Sequence, residues 1–130
     1  MSGNGNGGKD FTADVLVVGG GIAGTTAAIE AAEVGKRAIL VEKNSYLGGR
    51  VLQMSKYFPK LCPPSCGLEI NFRRMKQNNN VKTFTLAEVK EVSGQAGNYQ
   101  VKVELKPRFV NNKCTSCNEC VDVCPVSRKD

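Results

Sequence analysis

The stretch Val15-Leu16-Val17-Val18-Gly19-Gly20-Gly21-Ile22-Ala23-Gly24 constrains the fold more than any other part of this chain. Asp14 to Val18 is an unbroken β-branched and leucine run, the pattern of a central parallel strand buried on both faces. From Ile22 the sequence turns alanine-rich with a helical period, through Ala23, Ala27, Ala28 and Ala31 to Val34. Gly35 then stands where a left-handed C-terminal cap belongs. A second apolar strand follows at Arg37 to Glu42, completing a β-α-β unit of about 30 residues.

Within that unit Gly19-x-Gly21-x-x-Gly24 reads as a dinucleotide fingerprint. The first glycine permits the tight turn, the second lets backbone approach a pyrophosphate, and the third lets helix pack closely on strand. The phosphates belong on the free N–H groups of the helix start, from Ile22 and Ala23, where the positive end of the helix dipole lies. Glu42 closes the second strand, 18 residues beyond Gly24, and is placed to hydrogen-bond the ribose hydroxyls of an adenosine. A lone fingerprint is weak evidence. Here strand, turn, helix, glycine cap, strand and acid follow in order.

Lys43-Asn44-Ser45-Tyr46-Leu47-Gly48-Gly49-Arg50 narrows the cofactor. A Gly48-Gly49-Arg50 turn at this offset resembles the doublet that follows the second strand in FAD proteins of the two-dinucleotide-binding type. There it adds backbone contacts and a basic side chain to the pyrophosphate. FAD is therefore favoured over NAD, and NADP is disfavoured because Glu42 would repel a 2′-phosphate.

Val51 to Tyr57 is read as a short helix ended by Phe58-Pro59, and Pro63-Pro64 exclude a regular helix just beyond. A helix over Leu68 to Gln77 follows, with Leu68, Phe72 and Met75 on one face. Cys62 and Cys66 flank its start, a position that favours a thiolate. They admit three readings: a redox-active pair working with a flavin, ligands of a cluster completed elsewhere, or packing cysteines. Val81 to Leu86 is a third parallel strand. Ala87 to Val92, a turn at residues 93–97 and Tyr99 to Leu105 then form an antiparallel meander with one wet face. The meander resembles the one usual in FAD domains of the two-dinucleotide-binding type, and that resemblance implies that backbone around Ala87-Glu88-Val89 lies beside the adenine, with Val89 a further contact.

Cys114, Cys117, Cys120 and Cys124 match C-x2-C-x2-C-x3-C-P, the spacing that wraps a short chain around a [4Fe–4S] cluster. Zinc sites prefer two separated C-x2-C pairs, and disulfides would be strained at such spacing. In two-cluster ferredoxins the fourth cysteine of such a run serves the other cluster. A second run is then required, and the flavin-contacting half of the dinucleotide domain is also not encoded here. These 130 residues are accordingly expected to be inactive alone, as the N-terminal piece of a longer polypeptide.

The fold expected is α/β: a Rossmann-like FAD-binding domain, GxGxxG β-α-β plus meander, followed by the start of a ferredoxin-like segment. Residues 1–12 are read as a flexible leader, 13–110 as a partial FAD/NAD(P)-binding domain and 111–130 as the cluster segment. A net charge of +6 is scattered along the chain, with 6% aromatic residues, so no basic stripe of the nucleic-acid-binding kind is present. The absence of histidine removes His-based metal sites and Ser-His-Asp or Cys-His nucleophiles. No apolar run approaches the roughly 20 residues that span a bilayer, so direct membrane insertion is not expected. The leader lacks the regions of a signal peptide, and a cytoplasmic location follows.

GGGIAG, VEKNSYLGGR, KYFPKLCPPSCGLEINFRR, TLAEVKEVSG and the cysteine run together resemble the A subunit of heterodisulfide reductase. The segment with Cys62 and Cys66 is most similar to the related A subunit of the quinone-interacting membrane-bound oxidoreductase of sulfate reducers. The resemblance covers about residues 13 to 127. It implies an oxidoreductase subunit holding FAD and iron–sulfur clusters. Its partners would be other subunits of an electron-transfer complex, iron–sulfur and membrane quinone-reactive ones included, and it would be tied to the membrane through them. The alternative is a pyridine nucleotide-disulfide oxidoreductase with Cys62 and Cys66 as its dithiol.

Overall fold

A computed structural model describes residues 9–59, 61–108, 110 and 113–126; most of the expected leader lies outside them. Strand β1 (Val15–Val18) leads through helix α1 (Ile22–Glu33) to strand β2 (Ala38–Glu42). Two helices follow, α2 (Gly49–Leu52) and α3 (Ser65–Gln77), and then strand β3 (Val81–Thr85). These three strands form a parallel sheet in the order β1-β2-β3. Among the described residues β2 lies between β1 and β3 and its residues are almost all buried. Among the described residues β1 is an edge strand and Val18 is 65% exposed.

Helix α1 ends as its sequence predicts. The N–H groups of Gly35 and Lys36 donate to Ala32 and Ala31, each at 3.0 Å, with Gly35 at φ 83, the paired bonds of a Schellman cap. Its buried stripe differs from the alanine pattern: Thr25, Ala28, Ile29 and Ala32 are buried, whereas Ala23, Ala27 and Val34 are not. Alanine has too little apolar area to decide which face turns inward, and Ile29 decides it here. Ala28, Ala38 and Leu40 form the core, with Val17, Leu47, Met75 and Val81 packed around them.

The end of β1 opposite the glycine turn is closed by Asp14. Its carboxylate accepts the Arg37 backbone N–H at 2.8 Å and pairs with the guanidinium at 3.3 Å. The Arg37 backbone bond, followed by its side chain, holds the Asp14 pKa below the ordinary 3.8. A depressed folded-state pKa contributes stability above the unfolded value and loses it as pH falls through the folded one. The acid limb of a thermal-stability profile below about pH 4 should therefore be shallower in Asp14→Asn than in the native chain, and parallel limbs would contradict this.

Helix α2 begins at Gly49 and stops at Leu52, so the helix expected over residues 51–57 is displaced toward the glycine doublet. Its start is set by the left-handed turn at Gly48 (φ 109) and Gly49 (φ 58). Helix α3 opens at Ser65, directly after Pro64, and buries Leu68. After β3 the chain pivots at Leu86 (φ 54), whose N–H donates to Asn44 at 3.0 Å and whose carbonyl accepts from Lys106 at 2.7 Å. Strands β4 (Ala87–Gln95) and β5 (Asn98–Leu105) then pair as an antiparallel two-stranded ribbon. The turn between them is Ala96-Gly97, narrower than the expected 93–97. Gly94 lies inside β4, where a side chain would overlap the Asn98 carbonyl. A fourth helix, α4 (Glu119–Asp122), stands in the cysteine run.

Candidate functional site

The glycine turn stands at the carboxyl end of β1, where ligands bind in open α/β sheets. Gly19 (φ 105) donates its N–H to Val41 at 2.8 Å, which ties the turn to β2. At Gly24 a β-carbon would overlap the Gly19 carbonyl oxygen and meet Val17 at 3.4 Å, whereas one at Gly21 would meet nothing within 4 Å. The third glycine is thus demanded by the protein itself. The second faces open space, as a cradle for a pyrophosphate requires. Helix α1 starts there without a side-chain cap and with no acid in its first turn. Its first N–H groups, at Ile22, Ala23 and Gly24, have no carbonyl to bond within the helix and face an anion site of the right polarity.

The second glycine turn docks onto the first. Gly48 and Gly21 form a parallel bridge, the Gly48 N–H donates to Gly20 at 2.7 Å, and a β-carbon on Gly49 would lie 3.1 Å from Gly21 Cα. Arg50, one residue into α2, is exposed and makes no ion pair among the described residues. Residues 19–24 and 48–50, far apart in sequence, therefore form one surface of backbone amides with a free guanidinium beside it.

Glu42 lies beneath this surface, only 6% exposed. One carboxylate oxygen accepts the Gly20 N–H at 2.6 Å and the other the Asn44 N–H at 2.7 Å. Each oxygen keeps lone-pair capacity for a ribose hydroxyl. Gly20 and Asn44 are not site residues on a reading of the sequence. Gly20 occupies a variable position of the fingerprint, and its role comes from backbone N–H and C=O, which no side-chain pattern signals.

Beside Glu42 is a cavity of about 220 Å³ lined by Val18, Gly19, Val41, Glu42, Lys43, Ala87, Glu88 and Val89. The Leu86 pivot carries Ala87 to Val89 over the ends of β1 and β2, so the expected adenine contacts and the ribose acid line one cavity. Lys90 bridges Glu88 at 2.7 Å and Glu104 at 3.1 Å. The Lys90 bond, and after it the charges of Lys90, Lys106 and Lys43, holds the Glu88 carboxyl below its ordinary range. A larger polar hollow of about 500 Å³, lined by Glu33, Arg74, Gln77 and Asn78 to Asn80, lies at the opposite end of α1. It is remote from the glycine turns.

Cys114, Cys117, Cys120 and Cys124 are exposed free thiols. Left-handed turns at Ser116 (φ 57) and Asn118 (φ 67) separate the first three, and the Cys124 thiol donates to Val126 at 3.7 Å. Among the described residues no group of three Cys, Asp or Glu converges as a metal site, so the structure does not gather these thiols around one point. Four soft thiolates in this spacing fit an iron–sulfur cluster by their chemistry, and ligand capture by the metal draws such segments together. Cys62 and Cys66 stand apart from this run, at the start of α3.

Residues 14–110 match the family described as FAD dependent oxidoreductase, and residues 107–127 match the 4Fe-4S binding domain. The chain belongs to the FAD dependent oxidoreductase family and carries a 4Fe-4S binding domain at its end. Its curated relatives include A subunits of heterodisulfide reductases. The second iron-sulfur A subunit of the CoB–CoM heterodisulfide reductase of Methanopyrus kandleri is 43% identical over 118 residues, 90% of this chain and 18% of that one. The A subunit of the H(2):CoB-CoM heterodisulfide,ferredoxin reductase of Methanothermobacter marburgensis is 43% identical over 112 residues, 85% of this chain and 17% of that one. The chain thus spans under a fifth of those relatives' length. Among solved structures, L-proline dehydrogenase from P. horikoshii aligns with a TM-score of 0.63 and 24% identity over 72% of this chain and 19% of that one. Thioredoxin reductase of T. acidophilum gives a TM-score of 0.56 and 24% identity over 70% of this chain and 30% of that one. These two share the fold of the dinucleotide half.

Proposed function

We propose that this chain is the FAD- and cluster-binding part of an electron-transfer subunit of the heterodisulfide reductase A type. When bound, the flavin supplies two-electron exchange and the cluster one-electron transfer. The chain's residues bind and orient. Amides at Ile22 to Gly24 and at Gly49, with Arg50, hold the pyrophosphate. Glu42 takes the ribose, the Val41–Lys43 and Ala87–Val89 walls enclose the adenine, and Cys114, Cys117, Cys120 and Cys124 ligate iron. The observation that carries this reading is the docking of the Gly48-Gly49 turn on Gly20-Gly21 above a buried, doubly hydrogen-bonded Glu42.

Iron–sulfur subunits are the partners that fit such a chain. A quinone-reactive membrane subunit is the further partner suggested by the resemblance around Cys62 and Cys66. A cytoplasmic position beside such partners is part of the same reading, and no helix among the described residues is long and apolar enough to cross a membrane.

Glu42→Gln tests the adenosine end. A glutamine amide nitrogen cannot accept, so one of the Gly20 and Asn44 N–H groups loses its partner, at a cost of about 1–3 kcal/mol. Calorimetric titration with FAD should show affinity reduced about tenfold or more. An unchanged Kd, or release of NAD in place of FAD from the denatured native protein, would overturn the assignment.

A further inference from the structure

Leu86 is a single residue that joins two sheets. Thr85 ends β3, in register with Glu42, and Ala87 begins β4, paired with Leu105. The whole change of direction from the parallel sheet to the ribbon therefore falls on Leu86. It makes that turn at φ 54, in the left-handed region that leucine rarely enters. Non-glycine residues held in such conformations cluster at ligand clamps and active sites. Both backbone polar groups of Leu86 are fixed there. Its N–H donates to the Asn44 carbonyl at 3.0 Å, and its carbonyl accepts the Lys106 N–H at 2.7 Å. Asn44 in turn donates its own N–H to Glu42 Oε1 at 2.7 Å. A chain of hydrogen bonds thus runs from Glu42 through Asn44 to Leu86 and Lys106. Its two ends serve different parts of one cavity, which Glu42 lines from the end of β2 and Ala87 and Val89 line from the ribbon. Ala87 is only 1% exposed, so this wall is packed in place.

We propose that Leu86 is a positioning residue of the adenosine cavity, its left-handed backbone setting the adenine wall against the ribose acid. The inference rests on the assignment of adenosine to this cavity and adds what fixes the cavity's shape. The base would lie between Val18 and Val41, neighbours in register at the ends of β1 and β2, and the ribbon residues Ala87 and Val89. The glycine turn is tied separately, through the bond from Gly19 to Val41. A change at Leu86 therefore reaches the adenine wall and leaves the phosphate cradle in place. A β-branched residue at this position meets a steric penalty at positive φ. The backbone relieves it by giving up the Asn44 bond, and Ala87 to Val89 then leave the cavity. Glycine and asparagine enter the left-handed region more readily, so they hold the wall where leucine holds it.

Calorimetric titration of the flavin-free protein with ADP and with inorganic pyrophosphate separates the two parts of the site. Both ligands need the phosphate cradle, and only ADP needs the adenine wall. Leu86→Val should weaken ADP binding about tenfold, the scale of backbone strain at one residue, and leave pyrophosphate binding unchanged. Leu86→Gly and Leu86→Asn should recover the ADP affinity. Hydrogen exchange in the native protein gives a second reading that depends on no variant: ADP should slow exchange across residues 86–89, and pyrophosphate should not. An ADP affinity unmoved by Leu86→Val, equal losses of both ligands in that variant, or ADP binding no better in Leu86→Gly than in Leu86→Val would overturn the role of Leu86. Exchange across residues 86–89 that ADP leaves unchanged would do the same. A native protein that fails to bind ADP would overturn the adenosine assignment beneath it, an outcome seen before any substitution is made.

Discussion

Gly24→Ala should cost the protein both stability and FAD. A methyl group there overlaps the Gly19 carbonyl oxygen, and that carbonyl cannot step aside freely because the Gly19 N–H is tied to Val41. Overpacking of this kind costs about 1–3 kcal/mol, which lowers the Tm of a small domain by about 4–8 °C per kcal/mol. If α1 lifts from β1 to relieve the overlap, its N–H groups leave the Gly48-Gly49 turn, and FAD affinity should fall on the order of tenfold to a hundredfold. Gly21→Ala provides the contrast. Nothing lies within 4 Å of its β-carbon, so calorimetry should show an unchanged Tm while equilibrium dialysis shows FAD binding lost. If both variants retained FAD, the phosphate cradle would be elsewhere.

Cys117→Ser carries the second large effect. Serine offers a hard, protonated oxygen where iron–sulfur chemistry requires a soft thiolate, and metal binding is also what organises such a segment. Iron per chain, assayed after anaerobic purification, should fall to near zero, with loss of the broad cluster absorbance. The flavin bands should persist, because Cys117 stands outside both glycine turns and the adenosine cavity. Cys62→Ser should leave iron unchanged, since Cys62 stands just before α3, apart from the cysteine run. An iron content unaffected by Cys117→Ser would remove the cysteine run from the account.

The β-α-β unit is legible in the sequence because each signal in it is local. A β-branched run, three spaced glycines, a Gly35 cap and a second apolar strand each act within a few residues. What is not legible depends on chain brought from elsewhere. That β2 lies between the other two described parallel strands follows from their pairing, and both β1 and β2 read as apolar runs. The bonds from Gly20 and Asn44 to Glu42 are backbone bonds and leave no mark in residue type. The helix expected over residues 51–57 starts instead at Gly49, because the left-handed Gly48-Gly49 turn that docks on Gly21 also nucleates it. Gly94 reads as a turn glycine, yet it serves close approach inside β4. The left-handed Leu86 that aims Ala87 to Val89 at the cavity is a residue type that rarely adopts that conformation. Tyr57 carries no signal of its own, because its pairing with Cys62 is made by backbone groups.

The proposed function rests on a flavin bound at the paired glycine turns and a cluster bound at Cys114 to Cys124. Stepwise reduction of the anaerobically purified protein, followed by visible absorbance for the flavin and by electron paramagnetic resonance for the cluster, tests it most directly. The account predicts FAD bleaching together with the appearance of a reduced [4Fe–4S] signal, the latter absent from Cys117→Ser. Bleaching of bound FAD with no cluster signal in the native protein, or a cluster signal unchanged in Cys117→Ser, would contradict it.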